Sequence, residues 1–124
     1  MHLSAKAEQD LEEIYQYYVR EFSESSTRKV LASLSTAILT LETFPEGYID
    51  LDARLGRAIF PEGKTRMIPG KQQLIFYLIR GSRVDILRIR GARTDYLNNL
   101  DNLFKQTLKS RATPPPSTSL TKRV

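Results

Sequence analysis

TRMIPGKQQLIFYLIRGSRVDILRIRGARTDY, residues 65–96, decides the fold. Pro69-Gly70 and Gly81-Ser82 are turn formers, and they cut this stretch into three strand-like runs. Side chains alternate across a strand, so Leu74, Phe76 and Leu78 point one way while Ile75, Tyr77 and Ile79 point the other. A strand apolar on both faces belongs in the middle of a covered sheet. The next run, Arg83 to Arg90, begins apolar and is expected to end with Arg88 and Arg90 on one face, Leu87 and Ile89 on the other. The expectation is a small sheet with a buried centre and a cationic surface on its neighbouring strand.

Outside this stretch, composition narrows the chemistry. The chain has 124 residues, enough for one modest core, and its 40% hydrophobic and 27% charged content is that of a water-soluble globular domain. No apolar run approaches the roughly 20 residues that span a bilayer. The opening MHLSAKAEQD is polar almost at once, which argues against a secretory signal and for a cytoplasmic protein. There is no cysteine, so disulfides, thiolate metal sites and cysteine nucleophiles are excluded. The one histidine, His2, stands too near the start to build a metal cluster or a serine–histidine triad. No phosphate loop or other cofactor motif is present, so no cofactor is expected.

Charge is unevenly spread. Residues 1–50 hold four basic and nine acidic side chains, whereas residues 51–95 hold ten basic and four acidic. An acidic half beside a basic sheet either attracts an anionic partner or neutralises itself within the fold.

The acidic half reads as helical. Ser4 can cap a helix over 5–22, where Ala7, Leu11, Ile14, Tyr15, Tyr18 and Phe22 recur every three or four residues. His2-Leu3 before it is a candidate first strand. Glu8, Asp10, Glu12 and Glu13 read as a solvated acidic face near the positive end of the helix dipole. After the polar turn at 23–26, a second helix is expected over about 27–44, with Val30, Leu34, Ala37, Ile38, Leu41 and Phe44 as its stripe and Pro45 as its stop. Two helices joined by a short turn form an antiparallel hairpin. Residues 48–64 read as an irregular connector with room for a helical turn. Asp95 is placed to cap a final helix through about Leu108. The expected fold is α+β: a helical hairpin on a three- to four-stranded antiparallel sheet, then a C-terminal helix. The domain is expected over residues 1–109. Residues 110–124, with Pro114-Pro115-Pro116 and Lys122-Arg123, read as a flexible tail.

The order of these elements and several short motifs resemble the RelE/ParE superfamily of toxins from bacterial type II toxin–antitoxin pairs. The carrying residues include Leu3-Ser4-x-x-Ala7-x-x-Asp10-Leu11-x-x-Ile14, Leu41-x-x-Phe44-Pro45-x-Gly47 and Arg66-Met67-Ile68-Pro69-Gly70. Leu74-Ile75-Phe76-Tyr77 and Val84-Asp85-Ile86-Leu87-Arg88-Ile89, leading to Arg93-x-Asp95, complete the series over residues 3–105.

The resemblance implies one of two activities. RelE-like members cleave messenger RNA on the ribosome without a metal, but the position of their catalytic arginine holds Gln73 here and that of their late tyrosine holds Asn99. ParE-like members poison DNA gyrase, and the Arg66-x-x-Pro69-Gly70 turn is closer to theirs. Their His-x-Arg-Arg strand end is Gly91-Ala92-Arg93-Thr94, which keeps one arginine. The favoured expectation is a ParE-like gyrase inhibitor that arrests growth, carries no catalytic residue and forms a hetero-oligomer with a cognate antitoxin. Arg66, Arg88 and Arg93 are its expected target- or antitoxin-binding residues, since arginine clamps carboxylate or phosphate through a planar fork. The alternatives are a messenger-RNA endonuclease with Lys64, Arg66 and Arg93 around the scissile phosphate, and a non-toxic relative that only binds the antitoxin. Lys64, Lys71, Tyr77 and Tyr96 are the residues that could supply a nuclease with acid or base groups.

Overall fold

The computed structural model describes residues 2–70 and 72–105. Lys71, the expected helix end near Leu108, the domain limit at 109 and the tail at 110–124 lie outside the described residues.

Among the described residues nine elements follow one another: β1 (His2–Leu3), α1 (Ala5–Glu21), α2 (Glu24–Thr40), β2 (Ile49–Asp50), α3 (Leu51–Leu55), β3 (Lys64–Pro69), β4 (Gln73–Arg80), β5 (Arg83–Gly91) and α4 (Leu100–Leu103). They build one five-stranded sheet in the order β1-β5-β4-β3-β2. The three long strands pair antiparallel, as does β2 with β3, while β1 runs parallel to β5. This corrects the expected sheet of three or four antiparallel strands. β1 is the candidate strand at His2-Leu3, running parallel to its neighbour, and β2 is the added one, two residues long and too short to show a period of two.

β4 is central and covered on both faces, as its sequence requires. Ile75, Tyr77 and Ile79 pack with Ala7, Val30 and Leu34 beneath the hairpin α1–α2. Leu74, Phe76 and Leu78 pack with Leu51, Leu100, Leu103 and Phe104 on the opposite face. Ser4 caps α1 as expected, accepting from the Ala7 amide at 3.0 Å. Ser23 caps α2 through the Ser26 amide at 3.0 Å, which starts that helix one turn earlier than its apolar stripe suggests. The helix ends at Thr40 and Phe44 stands exposed in the following turn, outside the core.

Two departures have local causes. The β4–β5 register slips between Phe76 and Tyr77, so that Phe76 faces Arg88 while Tyr77 faces Ile86. Leu87 is therefore bulged, and the simple alternation fails: Leu87 packs in one core layer and Ile89 in the other. At the C-terminal end, α4 is a single turn that starts at Leu100 and lacks a side-chain cap. The Asp95 carboxylate instead accepts from the Asn98 side-chain Nδ2, and Leu97 is exposed. Leu100, Leu103 and Phe104 are buried, and Phe104 packs edge-on against Phe76 and Phe60.

Two turns need glycine. A Cβ on Gly70 would come within 2.5 Å of the Gln73 carbonyl oxygen, and Gly81 has φ of 59°.

Candidate functional site: a groove at the open end of the sheet

The N-terminal half of α1 packs along the edge of β5 beyond its pairing with β1, and the geometry there turns on Asp10. Ala7, Asp10 and Ile14 follow helical spacing, which sets Asp10 on the inner stripe at 2% exposure. Its carboxylate accepts from Arg88 Nε at 2.8 Å, Arg88 Nη2 at 2.9 Å, the Ile89 amide at 2.9 Å and Arg90 Nη1 at 3.0 Å. A buried carboxylate is retained only when its lone pairs are filled, and these four donors fill them. Arg88 also donates from Nη1 to the Leu103 carbonyl at 2.7 Å. One side chain thus joins α1, the edge of β5 and α4. Sequence reasoning missed Asp10 by grouping it with Glu8, Glu12 and Glu13, which are exposed. Its place on the stripe was the available signal.

The three arginines expected to bind partners occupy different environments. Arg88 is enclosed by the bonds just described, with its side chain 12% exposed. Arg66 holds the connector before β3, donating from Nη1 to Tyr48 O at 2.9 Å and Glu46 O at 3.3 Å, with Asp50 at 3.6 Å from Nη2. Arg93 is exposed just beyond β5. The structure does not bring them into one cluster.

Arg93 instead borders a cavity of about 520 Å³ between α1 and the ends of β4 and β5, whose lining includes Glu13, Ile14, Tyr17, Tyr18, Gln73 and Arg90. A second, of about 400 Å³, lies between α2 and the β3–β4 turn and is mainly apolar, with Val30, Leu34, Ile68 and Ile75 in its wall. A third, of about 290 Å³, runs past Phe22 and Lys29. Gln72 borders all three, so they lie side by side as one groove beneath the connected end of the hairpin. Tyr18 Oη donates to Gln72 Oε1 at 3.1 Å across it. Tyr17, Tyr18 and Phe22 touch one another, with ring centroids 5.2 to 5.9 Å apart, and make the aromatic rim.

The groups proposed for acid–base chemistry are dispersed. Lys64 pairs with Ile79 at the other end of β4, six residues from Gln73 and so about 20 Å away. Burial pushes the Tyr77 phenol up to about 12 against the lowering influence of Arg66, and its hydroxyl donates to the Pro45 carbonyl. It holds its proton at neutral pH. Tyr96 Oη accepts from Arg54 at 3.1 Å on the opposite face of the sheet. What the groove offers is an apolar wall, an aromatic rim, two amides and charged groups of both signs, among them Arg90, Arg93, Lys29 and Glu13, which suits recognition of a protein segment.

No helix among the described residues is long and apolar enough to cross a membrane. The family described as ParE toxin of type II toxin-antitoxin system, parDE, matches residues 1–96. No curated protein matches the chain.

Proposed function

We infer the function from one premise: the chain belongs to the family of ParE toxins of type II toxin–antitoxin systems. It is the toxin component of such a pair. We propose that it inhibits DNA gyrase in the bacterial cytoplasm by binding it, thereby arresting growth, and that a cognate antitoxin neutralises it in a hetero-oligomeric complex. The observation that carries the binding mode is the dispersal of the nuclease candidates. Gln73 stands in the groove where cleaving relatives place arginine, Lys64 lies at the far end of the strand, and the Tyr77 phenol is buried. Of the expected contact residues Arg66, Arg88 and Arg93, Arg93 meets the partner directly, Arg88 holds the strand end beside it, and Arg66 holds the connector away from the groove. The antitoxin lays an amphipathic segment along the groove, its acidic residues toward the arginines.

The test is induction of the chain in bacteria that lack the antitoxin. The expected result is growth arrest with a DNA-damage response and trapped gyrase–DNA complexes. Rapid translation arrest with cut transcripts would transfer the protein to the endonuclease reading, and unimpaired growth would leave a relative that only binds its antitoxin.

A further inference from the structure

The edge of β5 is covered in steps, and the cover stops short. His2 and Leu3 of β1 lie opposite Asp85 and Ile86. Ser4 then donates its amide to Ile86 O at 2.9 Å and its hydroxyl to Leu87 O at 2.7 Å. Asp10 takes the Ile89 amide. An antiparallel strand alternates residues whose backbone groups face its neighbour with residues whose groups face away. Since the Ile89 N–H faces outward, the same alternation turns the Ile89 carbonyl and the Gly91 N–H outward too. These open onto the largest cavity of the groove, which Ile89 and Gly91 both line. Gly91 is exposed, and a Cβ on it would meet nothing within 4 Å.

The surroundings define what fits there. Arg90 already shares Asp10 and, at 3.8 Å, Glu13. Arg93 has no ion pair among the described residues and stands two positions past Gly91. Ile14 and Tyr17 face the same cavity from α1. An exposed strand edge accepts another strand, and its backbone bonds are met by extended chain and not by a helix.

Resting on the toxin–antitoxin reading above, we propose that the neutralising segment of the antitoxin is an extended, acidic strand that adds to β5 at residues 89–91. Its backbone bonds the Ile89 carbonyl and the Gly91 amide, one carboxylate sits on Arg93, and an apolar side chain rests against Ile14 and Tyr17.

The probe is a capped hexapeptide of alternating valine and glutamate, titrated into the isotopically labelled full chain by NMR. The Gly91 and Ile89 amides are expected to shift and the Gly91 amide to exchange more slowly. Gly91→Ala keeps the N–H and adds a methyl into open space, so it binds as the unmodified chain does. Gly91→Pro removes an N–H that β4 does not use, and binding weakens about tenfold, the worth of one lost hydrogen bond. Equal binding by the two variants, or shifts confined to Val30 and Leu34 on α2, would overturn strand addition. Co-expression separates this proposal from its premise. An antitoxin held as tightly by Gly91→Pro as by the unmodified chain sinks the strand but keeps the toxin–antitoxin pair. An unmodified chain that captures no antitoxin sinks both.

Discussion

Two buried carboxylates sit near the two ends of β5, and each holds two arginines. Near the turn, Asp85 accepts from Arg80 at 2.6 Å and Arg83 at 2.9 Å, all three within the β4–β5 hairpin. At the groove end, Asp10 holds Arg88 and Arg90 across nearly 80 residues of chain. The first arrangement closes a turn locally. The second fixes a whole helix against a strand edge and, through Arg88, the last turn of the described chain against the opposite face of the sheet. The turn end is covered by β1, whereas the groove end keeps an exposed arginine, an aromatic rim and open backbone groups. β1 covers the β5 edge at one end and leaves it uncovered at the other.

The largest expected effect comes from Asp10→Ala. It strands Arg88 in an enclosed site and frees the Ile89 amide, so urea unfolding should register a loss of about 3–5 kcal/mol. Asp85→Ala should cost less, about 1–3 kcal/mol, because Arg83 is half exposed and can turn to water. Equal losses would mean that the long-range tie contributes nothing beyond a local one.

Tyr77 gives a pH test. Its folded-state value of about 12 lies above the ordinary 10, so folding favours the protonated phenol. The corresponding stability, roughly 2–3 kcal/mol, is fully present below pH 10 and is lost as pH rises from 10 to 12. Tyr77→Phe should flatten that alkaline decline, measured by denaturant unfolding across the interval, at the cost of about 1 kcal/mol at neutral pH for the bond to Pro45.

Tyr18→Phe is the smallest change. The bond to Gln72 is exposed, so stability should fall by less than about 1 kcal/mol. A larger loss would make that bridge part of the frame and not a movable link across the groove.

Much of the frame was legible in the sequence. Leu74 to Ile79 announced a covered central strand, Ser4 its helix cap, and Pro69-Gly70 and Gly81-Ser82 the turns. The family resemblance, carried by short ordered motifs, is matched by residues 1–96. His2-Leu3 was legible as a first strand, but β2 escaped because two residues carry no period, and the bulge at Leu87 escaped because it breaks one. The arginines could not be sorted, since sequence does not tell an arginine enclosed against Asp10 from one left in water. The groove itself was invisible, because it is a gap between elements distant in the chain.

The central claim is that the open end of the sheet, not the cationic strand as a whole, carries the activity. It is tested most directly by comparing Arg93→Glu with Lys64→Glu, the second on β3 opposite the far end of β4, in cells induced without antitoxin. The account predicts that Arg93→Glu abolishes growth arrest while Lys64→Glu retains it, with both proteins folded by circular dichroism. Arrest that survives Arg93→Glu and is lost with Lys64→Glu would contradict it.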